Sequence, residues 1–266
     1  MKAIIINVAS ATDRMTFMAQ QMAALGLSYE RLEAVTPDVQ IGTPSPGYWD
    51  TWERPLKETE KACFLSHVTA WKLVEARGEP ALILEDDVLL SRATPQLLEA
   101  CSKLNGADHM TFEVRKRKKI VAKQGSQLTG THRMLRLYQD RSGAAAYVLW
   151  PSGAAKLLRR AQAQAALADA MICKAYELNS FQIEPASAVQ LDRTTDYGVT
   201  ARQATQSIIG AGTPARQSKN LSFRLRRISA QLRMGLRALR YFADTERREI
   251  SLSPDDFDAS RRGGQA

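Results

Sequence analysis

Three short runs of almost unbroken aliphatic residues, Ala3–Val8, Ala81–Leu84 and Ala144–Leu149, set the strongest limit on how this chain can fold. Runs this short, without polar alternation, read as strands buried on both faces, which requires helices on both sides of a sheet. Helical patterns lie between them. Met15, Met18, Met22 and Leu25 share one side of a predicted helix, with Ser10 or Thr12 placed to cap it and Gly26 to close it. Tyr29–Val35 reads as a second strand. Thr59 then precedes Glu60 and a helix through Phe64, Val68, Trp71 and Val74, closed by Gly78 and Pro80. Met110–Val114 and Met134–Gln139 read as strands around a basic segment, and Ser152–Leu167 as a helix. This alternation predicts an α/β fold, a mostly parallel sheet flanked by helices.

Two stretches stand apart from that rhythm. Residues 36–55 carry four prolines, two glycines and two tryptophans and form a long loop, a type usually kept for function. Near Gly210–Pro214 the composition shifts, and Leu221, Leu225, Ile228, Leu232, Leu236 and Leu239 recur at helical spacing. Projected on a helix they fall in a stripe of roughly 60°, with Arg226, Arg227, Arg233, Arg237 and Arg240 opposite. The expected organisation is therefore a main domain over 1–212, a basic amphipathic helix over 213–250 and a disordered tail over 251–266.

Charge narrows the partners without naming one. The net charge is +9, and from Lys219 onward eleven Lys/Arg face six Asp/Glu; a second cluster, Arg115-Lys116-Arg117-Lys118-Lys119, lies mid-chain. Such an excess suits phosphate-bearing ligands, anionic lipid or nucleic acid. Cys63, Cys101 and Cys173 are too few and too irregularly spaced for a disulfide framework or a zinc pattern, which favours a reducing compartment. The opening apolar run is too short for a secretion signal, and no stretch approaches the roughly 18 apolar residues of a membrane span. The expectation is a cytoplasmic protein, peripheral at most on a membrane surface.

Glu85-Asp86-Asp87 ends the second aliphatic run. Three consecutive carboxylates repel one another unless solvent or a cation compensates. Strand alternation puts Glu85 and Asp87 on one side and Asp86 on the other. The pair can converge on a hard cation such as Mg²⁺ or Mn²⁺, which few protein oxygens leave open to a ligand's phosphates. Ligands of open α/β sheets bind beyond the carboxyl ends of strands, where this triplet falls. Taken alone, the triplet also reads as a solvated acidic turn or a helix N-cap cluster.

Several segments, in order, resemble glycosyltransferase family 25. Ile5-Ile6-Asn7 with Asp13-Arg14 is similar to that family's opening strand and Asp-Arg pair. Glu60-Lys61-Ala62-Cys63-Phe64-Leu65-Ser66-His67, with Trp71 following, looks like its Cys-x-Leu-Ser-His helix. Ala81–Val88 matches its acidic motif, and Gly143–Leu149 followed by Gly153–Leu158 is similar to its later strand and helix. The resemblance covers residues 1 to 200 and implies a GT-A-like, Rossmann-related catalytic domain. It also implies a nucleotide-sugar donor (often UDP-galactose), a divalent metal and inversion at the anomeric carbon.

On the matched positions, Glu85 and Asp87 would hold Mn²⁺ or Mg²⁺, and Asn7, Arg14, Ser66, His67 and Asp86 would serve the donor. An inverting transfer needs a base for the acceptor hydroxyl; Asp169 sits at a family acidic position, with Asp140, Glu113 and Asp192 as alternatives. Cys63 and Trp71 read as packing residues. Thr59, Lys61, Ala62 and Trp150-Pro151 depart from the family pattern. The expected activity is transfer of a hexose, galactose first, to a lipopolysaccharide or other cell-surface glycan acceptor.

Two other classes compete. A phosphotransferase or nuclease using the same carboxylates would need a phosphate loop, and no Walker-type motif is present. A non-enzymatic basic module would bind anionic lipid or nucleic acid and ignore loss of Glu85. Neither accounts for the ordered motifs, so no nucleic-acid partner is expected. For the C-terminal helix, docking on the domain and contact with an anionic membrane both remain open.

Overall fold

The computed structural model describes residues 1–38, 45–141, 143–200 and 221–258. Its central strand, β1 (Ala3–Asn7), is buried along its whole length. It pairs in parallel with β2 (Tyr29–Glu33) and β3 (Ala81–Glu85), so that Ile6 stands beside Glu85 and Asn7 beside Glu33. Alternate residues feed two cores. Ile4, Ile6 and Ile83 pack with Phe64, Trp71 and Tyr147 on one face, and Ile5, Leu82 and Leu84 with Met18 and Met22 on the other. That two-sided burial is why these strands carry no polar alternation.

The helices cover the faces. α1 (Thr12–Leu25) connects β1 to β2 and ends at Gly26, whose φ of 65° lets its N–H reach back to the carbonyls of Met22 and Ala23. It starts without a side-chain cap, so neither Ser10 nor Thr12 does the capping expected of them. α2 (Glu58–Arg77) precedes β3. Its start is fixed by Glu60, which accepts the Lys57 N–H at 2.9 Å and is gripped by both terminal nitrogens of Arg54 at 2.8 Å. Lys57 is the capping position.

After β3 the chain makes β4 (Val88–Leu90), α3 (Thr94–Ser102), β5 (His109–Thr111), β6 (Lys119–Ala122), β7 (Ser126–Gln127), β8 (Arg133–Gln139) and β9 (Ala146–Leu149). α4 (Pro151–Ala163) ends short of the expected Leu167, because Gln164 is extended, and α5 (Ala168–Cys173) follows as a helix that the pattern did not announce. β10 (Ser180–Glu184) and β11 (Ala188–Gln190) come next. The ten-stranded sheet is mixed, ordered β6-β8-β10-β5-β9-β3-β1-β2 along its main path, with β7 on β8 and a last strand added beyond β6. β4 and β11 form a separate small ladder in which Gln190 faces Val88.

The C-terminal part belongs to this body. α6 (Leu221–Arg240) leads to β12 (Thr245–Arg248), which extends the sheet against β6. The tail expected to be disordered from Ser251 is ordered through residue 258. Leu252 bridges to Ala186, and a turn of 3-10 helix at Pro254–Phe257 buries Phe257 beside Val189 and Val199. A few well-placed apolar residues suffice to anchor a segment of otherwise polar composition. The boundary near residue 212 and residues 259–266 lie outside the described residues.

Candidate active site

The acidic triplet lies at the carboxyl end of β3, a strand flanked by β1 and β9, where the chain turns into the β4–β11 ladder. Asp86 faces β1 and α1: Asn7 donates to it at 2.6 Å and Arg14 pairs with it at 2.9 Å. Arg31 in turn donates to the Asn7 side-chain oxygen at 2.8 Å. Glu85 and Asp87 turn the other way and meet at Gln190, whose amide lies 3.4 Å from Glu85 and 3.5 Å from each Asp87 oxygen. The alternation read from the strand is thus present in space.

The electrostatics follow from that crowding. Burial, then the Glu85 and Asp86 charges, push the Asp87 carboxyl up to about 7, against the weaker help of Gln190 and Arg14. Burial also raises Asp86, outweighing its bond from Asn7 and the charge of Arg14. Two converging carboxylates with one long amide contact between them are short of positive charge, which fits a hard divalent cation bound through oxygen. A second donor set shares Glu85: the ligand atoms of Cys63, His67 and Glu85 lie within 4.8 Å of one another. Burial first, then the surrounding carboxylates, hold the Cys63 thiol well above its ordinary range, so it is neutral and a poor ligand for such an ion.

His67 is a buried residue with a defined orientation. Trp71 donates its indole N–H to the Tyr147 hydroxyl at 2.8 Å, and that hydroxyl meets His67 Nδ1 at 2.9 Å. With the Tyr147 oxygen accepting from Trp71, its own proton is free for Nδ1, which leaves Nε2–H directed at Glu85, 3.3 Å away. Trp71 therefore orients a site residue as well as packing. Ser66 accepts the Val35 N–H at 2.9 Å and donates to the Ala62 carbonyl at 2.8 Å, fixing the entry to the 36–55 loop.

Arg14, Ser66, His67, Glu85, Asp86 and Asp87 all line one cavity of about 330 Å³, walled on its apolar side by Ile6, Val8 and Ala62. Asn7 adjoins it through Asp86. Asp169 stands outside that cavity, partly buried at the start of α5, with Oδ1 accepting the Ala170 N–H at 2.6 Å. Burial raises its carboxyl; the Ala170 bond opposes this, and the nearby Glu85 charge adds to it.

The alternatives to Asp169 are otherwise engaged. Asp140 pairs with Lys119 at 2.6 Å, Asp192 with Arg193 at 3.5 Å, and Glu113 is wholly buried. The basic run 115–119 splits: Lys119 is buried in its ion pair, while Lys116, Arg117 and Lys118 are exposed. Sequence reasoning missed Gln190 and Tyr147. The signal for Gln190 was a polar residue closing the apolar Ala188-Val189 pair; Tyr147, inside an aliphatic run, gave none.

Comparison with known proteins follows the same region. A family model described as glycosyltransferase family 25 (LPS biosynthesis protein) matches residues 1–172. The lacto-N-neotetraose biosynthesis glycosyltransferase LgtE of Neisseria meningitidis serogroup B is 31% identical over 99 residues, 35% of this chain and 35% of that protein. The lipooligosaccharide biosynthesis protein lic2B of Haemophilus influenzae is 27% identical over 159 residues, 54% of this chain and 58% of that protein. Procollagen galactosyltransferase 1-B of Xenopus laevis is 32% identical over 94 residues, 32% of this chain and 15% of that protein. The chain thus spans less than two thirds of the length of each.

Proposed function

The chain belongs to glycosyltransferase family 25, and from that premise we propose that it moves a hexose, galactose first, from a UDP-sugar to a lipopolysaccharide or other cell-surface saccharide, with inversion. The observation that carries this reading is the convergence of Glu85 and Asp87 on Gln190 at a cavity that Arg14 also lines. Glu85 and Asp87 would hold Mn²⁺ or Mg²⁺, which supplies positive charge against the departing diphosphate when bound. Asp86, gripped by Asn7, aims Arg14 into the cavity, where its guanidinium can pair with donor phosphate. His67 offers Nε2–H on the same wall. In the transfer the acceptor oxygen attacks the anomeric carbon and the bond to the diphosphate breaks. The acceptor proton passes to the Asp169 oxygen that Ala170 leaves free; a raised carboxyl is suited to take it.

A membrane-surface partner belongs to the same proposal. No helix among the described residues is long and apolar enough to cross a membrane. α6 instead turns its leucines to solvent: Leu221 is 66% exposed, Leu232 62%, Leu239 73% and the following Phe242 77%. Arg224, Arg233 and Arg240, also exposed, flank the stripe, an arrangement suited to an anionic bilayer interface on the cytoplasmic side.

Titration of UDP-sugars with Mn²⁺ against Asp87→Asn tests the core reading. Metal-dependent donor binding should fall by roughly a hundredfold or more, while the melting temperature holds or rises, since a repelled buried carboxylate is removed. Unchanged metal-dependent binding would sink the assignment. Loss of binding in Cys63→Ser with retention in Asp87→Asn would move the metal to the Cys63, His67 and Glu85 set.

A further inference from the structure

A second cavity, of about 350 Å³, opens between the main body and α6. Ala170, Cys173 and Lys174 of α5 form one wall, and Arg227, Ala230 and Met234 of α6 form the other. Arg117, from the exposed part of the basic run, and Arg141 close its sides. Asp169 precedes Ala170 directly, and its carboxyl feels the charges of both Glu85 in the donor cavity and Asp140 in this one, so the candidate base stands between the two.

The charges around this cavity do not balance. Its two acidic residues are already engaged: Glu53 with Lys174, and Asp140 with the buried Lys119 at 2.6 Å. Among the described residues no carboxylate lies within ion-pair distance of Arg117, Arg141 or Arg227. Three arginines from three separate segments therefore line a common space without an ion-pair partner among the described residues. Guanidinium groups recognise phosphate and carboxylate through paired N–H donors, which a neutral hydroxyl-rich ligand cannot exploit equally.

We propose that this cavity is the acceptor subsite and that it selects a saccharide bearing an anionic group, a phosphate ester or a carboxylate, which Arg117, Arg141 and Arg227 hold next to Asp169. The inference rests on the transferase reading of the donor site and names the chemistry of its second substrate. It also gives α6 a role that sequence alone did not offer: one face walls the acceptor cavity while the leucine face looks outward. A lipid headgroup carries the same phosphate chemistry. The leucine stripe, however, projects from the opposite side of the helix to Ala230, so a bilayer seated on it does not fill this cavity.

The test uses the full chain and matched saccharide acceptors with and without a phosphate ester. The native protein should favour the phosphorylated acceptor at least tenfold in kcat/KM, with the preference shrinking as salt rises. Arg117→Gln/Arg141→Gln, both at exposed positions, should lose most of that preference while keeping its melting temperature. Titration of the phosphorylated saccharide alone, followed by calorimetry, should show the same loss of affinity.

Transfer without charge preference, or a preference that survives the double substitution, overturns the proposal and leaves the donor reading intact. Absent transfer with arginine-dependent binding of the phosphorylated saccharide leaves the anion site standing and sinks the donor reading instead. If the double substitution abolishes binding to phosphatidylglycerol vesicles but not the saccharide preference, the arginines serve lipid and the proposal fails.

Discussion

Glu113 is an acid enclosed by the interior with no ion-pair partner among the described residues. Its Oε1 accepts the Ala145 N–H at 2.8 Å, and a Cβ on Gly143 would fall 2.9 Å from that same oxygen, so the loop closes over the carboxyl. Burial pushes the group from 4.5 to about 7, opposed by the Lys119 charge and the Ala145 bond. A folded value above the unfolded one means that the folded chain keeps its proton longer. The stability contributed by Glu113 is therefore complete below about pH 4.5 and is lost as the pH rises through about 7. At about 1.4 kcal/mol per unit, the total loss is about 3 kcal/mol.

Glu113→Gln removes this titration. The buried amide carries its own offset, since Glu113 Oε2 has no hydrogen-bond partner among the described residues, but that offset does not depend on pH and cancels in the comparison. Urea unfolding of both proteins between about pH 5 and pH 8 should show the variant gaining roughly 2–3 kcal/mol on the native chain. Parallel stability curves would refute the reasoning. The same variant bears on catalysis: an acid enclosed in this way is not the base, and turnover should stay within a few-fold of native. A hundredfold drop with intact donor binding would transfer that role from Asp169 to Glu113.

The remaining expectations are more local. Asp169→Asn should lower kcat by roughly a hundredfold or more with donor affinity unchanged, because a base acts only in the transition state; an equal loss of donor affinity would make it a binding or positioning residue. Gly153→Ala should destabilise by roughly 2 kcal/mol or more, since its Cβ would sit 2.1 Å from the Asp108 carbonyl oxygen; an unchanged melting temperature would contradict the close helix–strand packing. Leu232→Gln/Leu236→Gln, at side chains 62% and 66% exposed, should leave the fold intact and weaken binding to phosphatidylglycerol vesicles by roughly tenfold or more. Equal vesicle binding would leave the stripe without a bilayer role.

The sheet and the acidic site were legible because each rests on a strong local signal. Aliphatic runs without alternation located β1, β3 and β9, and the period of two placed Glu85 and Asp87 together and Asp86 apart. Strand direction left no such mark: β9 runs antiparallel between β3 and β5, although its composition matches theirs. Helix starts were misread where backbone geometry and a distant side chain do the capping, as Glu60 and Arg54 do at α2. Gln190 offered only its polarity after Ala188-Val189, which does not locate it in space. Its place beside the triplet depends on the β4–β11 ladder, a pairing across about a hundred residues with no local periodicity to announce it.

The C-terminal helix shows where hydrophobic patterning gives the wrong geometry even when it finds the right element. The rule that a helix docks by its apolar stripe would put the leucines against the domain. The surface offered to α6 is instead a set of carbonyls and tyrosine rings, which suits guanidinium. Arg237 donates to the Tyr138 carbonyl at 2.8 Å and lies over the rings of Tyr176 and Tyr241 at 4.6 and 5.2 Å, and Arg226 donates to the Asp50 carbonyl at 2.5 Å. Phe223 and Ala230 fill the seam between them. Cation–ring contacts and charge-assisted bonds of this kind are each worth roughly 1 kcal/mol or more when shielded from water. Arginines that sequence projection placed opposite the leucines thus carry the docking, and the leucines face solvent.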